Sequence, residues 1–410
     1  MKGFAMKRVA FLIVLTLALT CGATFGAERF ENVVLHPAAK SDESLEFDGN
    51  RSAPFASDVV VSDEASLGIA DVATLLADVA TLLAAVGKTP DFDAARPGDR
   101  VGDDLPDALV ADLTLEEGKI MTVVIKSRQT RPLIGITWTG ASVNASQKRI
   151  ATAILRNGGR VKFMARVAND EECDAAIAEL DGLVMPGGAD LDPERYGEKP
   201  YPHGSVGIQP DRDVSDVLTT RRAIAINLPG IWICRGEQTI NVALGGALIQ
   251  DIPSYQGGRA MKGEIPADQT KTLPDEGAPT DYGKGPVVPC VPSHYRVVAY
   301  ATPHGDSRHA VDVAENSKFL APIIGVGVSP SFVSSHHQAA DAARLGEGLT
   351  VVATAPDGIV EALEYQANDF ALATQFHFES DVLSQAPERA ELCDKFFLEL
   401  LRFARMRSSR

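Results

Sequence analysis

Aromatic and basic residues are both scarce in this 410-residue sequence. Phe, Trp and Tyr make up 6% of it, with two Trp, and 39 Lys and Arg stand against 55 Asp and Glu, a formal net charge of −16. A protein that stacks single-stranded bases needs aromatic side chains, and one that binds a phosphate backbone needs positive charge. We therefore expect no nucleic-acid partner.

Long hydrophobic runs are also missing, except at the N-terminus. Residues 1–27 contain three basic and no acidic side chains, with an apolar run over residues 9–20 and small residues at 21–23. This order is typical of a signal peptide, and the run is too short to cross about 30 Å of hydrocarbon. We expect an exported protein, periplasmic or secreted, with no stable membrane span after cleavage; a cytoplasmic location is the alternative if the leader is not processed.

Cysteine is sparse, and no two cysteines form a CxxC pair. The five are Cys21, Cys173, Cys234, Cys290 and Cys393. Such wide spacing excludes a disulfide scaffold and a cysteine zinc site. At least one lone cysteine is therefore a candidate nucleophile, and the disulfide status of the others that remain after cleavage stays open.

Acidic residues are concentrated in the first part of the chain. Residues 28–128 carry 20 Asp and Glu against 9 Lys and Arg, a net charge of −11. The heptapeptide at 71–77 recurs at 78–84, and this spacing predicts one amphipathic helix over about 65–87. Residues 89–118, rich in Asp, Pro and Gly, are typical of a linker. The helix would pack on its own domain; a dimerising helix, and hence a homo-oligomer, is the alternative, although two heptads are few for a coiled coil.

The remaining chain alternates apolar runs with amphipathic helical patterns. Strands are predicted over 132–137, 161–166, 182–185 and 230–233, and helices over 145–157, 171–180 and 213–226. This alternation indicates βαβ units and a parallel sheet. Closely spaced β runs at 350–356, 359–365 and 370–377 predict an antiparallel extension, and 254–293 is typical of a loop insertion. The sequence therefore predicts one α/β domain over residues 129–405.

Cys234 lies where a predicted strand meets a predicted helix, in Ile231-Trp-Ile-Cys-Arg-Gly-Glu-Gln238. A nucleophile in such a turn is lifted clear of the sheet, and Gly236 relieves crowding behind it. The N-terminus of the helix stabilises a thiolate and offers backbone N–H groups to an oxyanion. A buried structural cysteine is the alternative.

Six motifs follow one another across residues 130–400. They are Leu180-Asp-Gly-Leu-Val-Met-Pro-Gly-Gly-Ala-Asp190, Asp211-Arg-Asp213, Cys234-Arg-Gly-Glu-Gln-Thr-Ile-Asn-Val-Ala-Leu-Gly-Gly246, Ser335-His-His-Gln338, Ala355-Pro-Asp-Gly358 with Glu361, and Gln375-Phe-His-Phe-Glu379. In this order they resemble the class I glutamine amidotransferase superfamily and, within it, the γ-glutamyl-γ-aminobutyrate hydrolase type of the peptidase C26 family. The resemblance implies a flavodoxin-like three-layer sandwich with a mostly parallel central sheet and an antiparallel extension.

The resemblance also implies the roles of five residues. Cys234 attacks the amide carbonyl, His377 acts as general base and then as general acid, and Glu379 orients the imidazole. The backbone N–H groups of Gly188 and Arg235 are the candidates for the oxyanion hole. This chemistry requires no metal ion and no organic cofactor. The expected partner is a small γ-glutamyl substrate, hydrolysed through a γ-glutamyl thioester.

Four further polar residues are candidate substrate contacts by the same resemblance. They are Gln238, His336, His337 and Gln338. For each, a hydrogen bond within the scaffold is the alternative.

Four positions depart from the family pattern. A small residue is usual at Trp232, an apolar one at Glu237, an asparagine at Val333 and a proline at Phe378. If a charged Glu237 faced Cys234, it would destabilise the thiolate. Two other functions therefore stay open: a non-catalytic binding protein on this scaffold, and a glutaminase subunit that supplies ammonia to a partner.

Overall fold

The computed structural model describes part of the chain. Whole residues are described over 92–103, 131–200, 207–252, 255, 308–356 and 358–408, and the backbone alone over 28–35, 55–63, 108–116 and 119–129. The predicted signal peptide, the predicted helix over 65–87 and, apart from Tyr255, the predicted insertion over 254–293 lie outside these residues. Within the described ranges, no helix has both the length and the hydropathy needed to cross a membrane.

The described secondary structure is as follows, in chain order. The strands are β1 (Glu28–Leu35), β2 (Phe55–Asp63), β3 (Arg100–Val101), β4 (Ala108–Glu116), β5 (Lys119–Gln129), β6 (Leu133–Thr137), β7 (Arg160–Met164), β8 (Gly182–Met185), β9 (Gly230–Ile233), β10 (Leu248–Ile249), β11 (Arg308–His309), β12 (Asp312–Val313), β13 (Gly327–Val328), β14 (Phe332–Val333), β15 (Ala339–Ala340), β16 (Leu349–Thr354), β17 (Val360–Tyr365) and β18 (Ala371–Thr374). The α-helices are α1 (Ala145–Arg156), α2 (Asp170–Ile177), α3 (Pro210–Ala225), α4 (Arg235–Ala243), α5 (Ala321–Ile324) and α6 (Pro387–Ser408), with 3₁₀ turns at Phe92–Ala94, Pro193–Tyr196 and Phe378–Asp381.

The chain divides into two compact units, of which the smaller comprises residues 1–90, 101–131 and 155–160. Its long strands form a sheet in the order β1-β4-β5-β2. Strand β4 pairs antiparallel with both of its neighbours, whereas β2 runs parallel to β5. The acidic segment therefore contains a sheet.

The prediction of a linker over residues 89–118 is wrong for its second half, where β4 lies. Apolar and polar residues alternate along 111–116 with the period of two that a strand requires. The Asp, Pro and Gly residues just before this stretch obscured the pattern. In the same way, residues 28–64 show no clear period, yet they contain β1 and β2. The domain boundary at residue 129 stays a prediction.

Residues 91–100 lie inside the same predicted linker, but they belong to the larger unit. The buried Phe92 ring packs edge-on against Phe163, with ring centroids 6.1 Å apart. The Gly98 N–H donates to the Phe163 carbonyl at 2.6 Å. The larger unit therefore includes residues that precede the predicted start of the α/β domain.

A sheet of ten described strands has the order β13-β12-β16-β17-β18-β9-β8-β6-β7-β3. Strands β6, β8, β9 and β18 are mutually parallel, and β17, β16, β12 and β13 extend the sheet antiparallel. The order β7-β6-β8-β9-β18 is the 2-1-3-4-5 order of flavodoxin-like sheets. The predicted fold, with a parallel centre and an antiparallel extension, is confirmed.

The central parallel strands determine where a ligand would bind. Every residue of β6, β8, β9 and β18 is buried, as expected of strands that are covered on both faces. In such sheets, ligands bind beyond the carboxyl ends of the strands. Strand β8 leads to Gly187, β9 leads to Cys234 and β18 leads to His377. The topology thus brings these three segments to one edge of the sheet.

Candidate active site

The backbone of Cys234 has a conformation that is uncommon outside glycine. Its φ is 53° and its ψ is −107°, between the end of β9 and the start of α4. The Cys234 N–H donates to the Thr374 carbonyl at 2.6 Å, and the Cys234 carbonyl accepts from the Gln238 N–H at 3.2 Å. Such strain persists only where the surroundings hold it, and it concentrates at functional sites. This is the geometry of a nucleophile elbow.

Glycines on both sides of the elbow allow this close packing. A Cβ at Gly236 would lie 2.5 Å from the Met185 carbonyl oxygen. A Cβ at Gly187 would lie 2.9 Å from His377 Cε1 and 3.7 Å from Cys234 Sγ. The thiol and the imidazole edge therefore both face Gly187, and its missing side chain leaves the space between them open.

His377 is held by two hydrogen bonds. Its backbone N–H donates to the Val333 carbonyl at 2.7 Å, and its Nδ1 donates to Glu379 Oε1 at 2.8 Å. The Cys234 thiol and the imidazole lie on the same side of Gly187, close enough for Cys234 to act on the charge of the ring. Burial alone would lower the pKa of His377, but the Glu379 carboxylate and Cys234 outweigh burial and hold that pKa well above its usual value. An imidazolium at neutral pH follows.

Glu379 accepts a second hydrogen bond, from Ser146 Oγ at 2.8 Å, on the same Oε1 atom. Burial would raise the pKa of Glu379, but His377 and Ser146 outweigh burial and hold that pKa below its usual value. Glu379 is therefore an anion in the folded protein. Sequence reasoning missed Ser146, because it lies near the start of α1 in no motif and 233 positions from its partner.

The two candidates for the oxyanion hole are each next in sequence to a residue of the elbow region, Gly188 after Gly187 and Arg235 after Cys234. Arg235 directly follows Cys234 as the first residue of α4. Gly188 has a φ of 151°, and a Cβ there would collide with the guanidinium of Arg212. Arg212 Nη2 donates to the Gly187 carbonyl at 3.0 Å, so the guanidinium fixes the backbone that carries the Gly188 N–H.

A buried ion network supports this backbone from α3. Arg235 pairs with Asp213 at 2.5 Å and also with Asp216, and Arg212 Nε pairs with Asp216 at 3.0 Å. All four side chains are at most 1% exposed. Burial and the neighbouring Arg235 lower the pKa of Arg212 to about 10, which still leaves it charged at neutral pH. Arg212 and Asp213 of the Asp211-Arg-Asp213 motif therefore support the backbone around Cys234. The motif lies inside α3, which starts at Pro210 and not at the predicted residue 213.

Three of the four candidate substrate contacts are joined to one another beneath the elbow. Gln238 Nε2 donates to the Gln338 carbonyl and to Gln375 Oε1, both at 3.2 Å. His336 Nδ1 donates to the same Gln338 carbonyl at 2.8 Å, and Gln338 Nε2 donates to the Gln250 carbonyl at 3.1 Å. The three candidates are at most 4% exposed. Their role as substrate contacts stays a prediction, and these bonds are those of a scaffold.

His337, the fourth candidate, lies between two carboxylates. Its Nε2 is 3.0 Å from Asp190 Oδ2, and its Nδ1 is 3.6 Å from Asp251 Oδ1. Burial would lower the pKa of His337, but Asp190 and Asp251 outweigh burial and raise it to about 9. The imidazolium links the segment after β8 to the segment after β10. Its role as a substrate contact also stays a prediction.

Two of the residues that depart from the family pattern, Trp232 and Phe378, are well packed. The Trp232 indole is fully buried, its Nε1 donates to Thr220 Oγ1 at 3.1 Å, and its ring occupies the space that a side chain at Gly230 would need. Phe378 stacks on Phe396 of α6 with ring centroids 4.0 Å apart. The turn after His377 is thereby anchored without a proline.

Glu237 is the third departure, and it is fully buried in the first turn of α4. Neither carboxylate oxygen has a hydrogen-bond partner among the described residues. Burial, followed by the charges of Glu361 and Cys234, raises the pKa of Glu237 well above its usual value. The raised pKa favours the neutral form of Glu237, which reduces its negative charge beside Cys234.

Comparison with known proteins shows which family the chain belongs to. The family model Peptidase C26 matches residues 132–379. A glutamine amidotransferase-type protein of Mycobacterium tuberculosis is 29% identical over 266 residues, which is 62% of this chain and 71% of that protein. The γ-glutamyl-γ-aminobutyrate hydrolase PuuD of Escherichia coli K12 is 26% identical over 257 residues, 60% of this chain and 85% of that protein.

Among solved structures, the glutaminase domain of Trypanosoma brucei CTPS with bound acivicin covers 67% of this chain and 93% of that domain, with 14% identity and a TM-score of 0.39. The family model is decisive, because it spans well over half of the chain and ends at Glu379. The chain belongs to the peptidase C26 family of class I glutamine amidotransferase-like hydrolases.

Proposed function

We propose that the protein is a cysteine hydrolase that cleaves γ-glutamyl amide bonds with Cys234, His377 and Glu379 as its triad. The observation that carries the proposal is the meeting of the Cys234 thiol and the His377 imidazole over Gly187, at the carboxyl edge of the parallel strands. The Glu379 carboxylate on Nδ1 fixes the tautomer and supports the imidazolium.

In the first half of the reaction, the Cys234 sulfur attacks the substrate carbonyl carbon. The backbone N–H groups of Gly188 and Arg235 stabilise the negative charge that develops on the carbonyl oxygen. The His377 imidazolium then donates its proton to the leaving nitrogen, the C–N bond breaks, and an amine departs. A γ-glutamyl thioester on Cys234 remains.

In the second half, water attacks the thioester carbonyl. Neutral His377 accepts a proton from that water, and Glu379 stabilises the imidazolium that forms. The C–S bond breaks, glutamate is released, and the thiolate–imidazolium pair is restored. His377 carries out both proton transfers, and the backbone N–H groups of Gly188 and Arg235 only stabilise negative charge.

The γ-glutamyl part of the proposal is supported by the comparisons. One relative is a γ-glutamyl-γ-aminobutyrate hydrolase, and the family model covers the motifs that hold all three triad residues. The test is amine release from a panel of γ-glutamyl amides, including γ-glutamyl-γ-aminobutyrate, by the purified protein.

Cys234→Ala removes the nucleophile, and we expect it to lower kcat/KM by at least about 10³-fold. Cys173→Ala is the matched control, because Cys173 is a buried free cysteine of α2; we expect near-normal activity from it. Amine release by Cys234→Ala at the wild-type rate would contradict the proposal.

A second candidate activity is the release of ammonia from glutamine for a partner enzyme. The similarity to a glutamine amidotransferase-type protein supports it. Glutamine is therefore part of the panel. Turnover of glutamine that appears only with an added synthase favours this second activity. Binding of γ-glutamyl compounds without any turnover favours a non-catalytic role.

Export is proposed on the sequence pattern of residues 1–27. N-terminal sequencing of the protein recovered from its native compartment tests it. A mature N-terminus close to residue 28 supports cleavage of a leader, and retention of Met1 contradicts it.

A further inference from the structure

A second cluster of ionisable side chains lies behind the nucleophile elbow. His309 of β11, His336 after β14 and Glu361 of β17 each offer one ligand atom, and these atoms all lie within 4.8 Å of one another. The three residues are 7%, 4% and 0% exposed. Three distant segments of the chain thus converge on one buried point.

The spacing within this cluster is that of ligands around an ion. Glu361 Oε1 is 3.4 Å from His309 Nε2 and 3.4 Å from His336 Nε2. Direct N–H···O hydrogen bonds are about 2.7–3.2 Å long. Four ligands at about 2.0–2.1 Å from one zinc ion in a tetrahedron lie about 3.3–3.4 Å from each other. Both pairs match the second value.

The hydrogen bonds of the two imidazoles orient their Nε2 atoms as ligands. His309 Nδ1 is 3.0 Å from the Ala310 carbonyl, and His336 Nδ1 is 2.8 Å from the Gln338 carbonyl. A carbonyl only accepts, so Nδ1 carries the hydrogen, and in the neutral ring Nε2 presents a lone pair to Glu361. Carbonyl groups hold metal-binding histidines in this way. Two lone pairs that face one carboxylate oxygen repel it unless a proton or a cation lies between them.

A second buried carboxylate, Glu237, gives independent support for a cation. Its side chain is 0% exposed, and both of its oxygens lack a hydrogen-bond partner among the described residues. After burial, the charge of Glu361 is the strongest influence on it. Burying a carboxylate without a partner is costly, and a nearby cation offsets that cost. Glu237 lies three positions after Cys234, in the first turn of α4.

We propose that His309, His336 and Glu361 bind one divalent transition-metal ion, with Zn²⁺ as the best match to two imidazoles and a carboxylate, and that Glu237 adds a second negative charge near the ion without coordinating it. The three ligands are buried, so we assign the ion a structural role. It ties β11, the segment after β14 and β17 to one another. The expectation that no metal is present came from the chemistry of amide cleavage, in which this ion takes no part.

The first measurement is the metal content of the full chain, purified without metal-affinity chromatography and desalted. We expect about one equivalent of zinc per chain by elemental analysis. Stripping with a chelator should lower the melting temperature, and added Zn²⁺ should restore it. Co²⁺ in place of zinc should give the visible absorption of a tetrahedral site.

Variants test one ligand and the added charge. Glu361→Gln should lower the bound zinc at least about tenfold, and Glu237→Gln, which keeps the α4 turn, should weaken Zn²⁺ binding by about 10–100-fold. Glu364→Gln is the matched control: it makes the same change to a buried carboxylate on β17 that bonds to Ser317 and Lys318 instead. This control should retain its zinc.

Two results would overturn the proposal. One is a wild-type chain that carries no zinc after growth and purification in its presence and whose melting temperature responds to neither chelator nor Zn²⁺. In that case protons occupy the cluster. The other is equal loss of zinc in Glu364→Gln and Glu361→Gln. Neither readout depends on amide hydrolysis, so failure of the proposed enzyme activity is scored separately.

Discussion

The charge of Glu379 should set the upper pH limit of activity. Glu379→Gln removes that charge and nearly keeps the shape, and the amide oxygen can still accept from Nδ1 of His377 and from Ser146. Because the carboxylate favours the imidazolium, its loss should let His377 lose its proton at a lower pH. Activity that depends on this imidazolium then falls at a lower pH.

The size of the effect follows from the geometry. The Nδ1–Oε1 distance of 2.8 Å places the two charge centres about 4 Å apart, where an effective dielectric of about 20 gives an attraction of about 4 kcal/mol. At 1.36 kcal/mol for each tenfold change, this energy moves the alkaline limb down by about three pH units. The imidazole side chain is 16% exposed, and water screens part of the charge. We expect about two to three pH units.

The assay is kcat/KM against pH on a γ-glutamyl amide for the wild type, Glu379→Gln and Ser146→Ala. Ser146→Ala is the matched control, because it removes a neutral hydrogen bond from the same Oε1 atom and leaves the charge. Its alkaline limb should move by less than about one pH unit. Alkylation of Cys234 by iodoacetamide across the same pH range reports on the thiol without substrate.

One result would refute this reasoning. If Glu379→Gln lowers kcat but leaves the alkaline limb at the wild-type pH, Glu379 only orients the ring and does not stabilise its charge. Equal shifts in Glu379→Gln and Ser146→Ala would lead to the same conclusion, since the loss of charge would then have no effect of its own.

Two further predictions concern the surroundings of the triad. Gly187→Ala places a methyl group 2.9 Å from His377 Cε1, so kcat/KM should fall at least about tenfold while the thermal unfolding midpoint changes little; full activity would show that the space over Gly187 is not used. Asp190 and Asp251 raise the pKa of His337 from 6.5 to about 9, so their stabilisation is complete below pH 6.5 and is lost as the pH rises through 9. This stabilisation of the folded state amounts to about 3 kcal/mol. Urea unfolding at pH 7 and pH 10 should show a corresponding fall in the free energy of unfolding in the wild type and not in His337→Gln.

The central strands could be predicted from the sequence because short apolar runs end at conspicuous residues. The predicted bounds of β8 and β9 agree with the structure, since glycine precedes the apolar residues of each run and Pro186 or Cys234 follows. The start of α3 was missed by three residues, at Pro210 instead of Asp213. Its first turn is polar, so it has no apolar period, and the proline at the first helical position was the available signal.

Contacts between distant segments could not be predicted in the same way. Ser146, near the start of α1, bonds to Glu379, which follows β18, and no local pattern in a serine near a helix start reports this contact. His309, His336 and Glu361 likewise come together from segments that are distant along the chain. β11 pairs with β14 in a two-stranded sheet and Glu361 lies on β17 of the larger sheet, whereas metal motifs are recognised by short spacing along one segment.

Trp232 and Phe378 pack elsewhere than over Gly187, and Val333 contacts His377 through its backbone carbonyl. The Trp232 indole bonds to Thr220 and Phe378 stacks on Phe396 of α6, and neither side chain is among the atoms nearest to the space over Gly187. Glu237 alone bears on the chemistry, since an anion there would oppose the Cys234 thiolate. A protonated carboxyl removes that charge only up to its own pKa, whereas a bound cation compensates it at any pH at which the ion stays. The alkaline behaviour of Cys234 alkylation in zinc-loaded and zinc-stripped protein therefore distinguishes the two ways of keeping this site reactive.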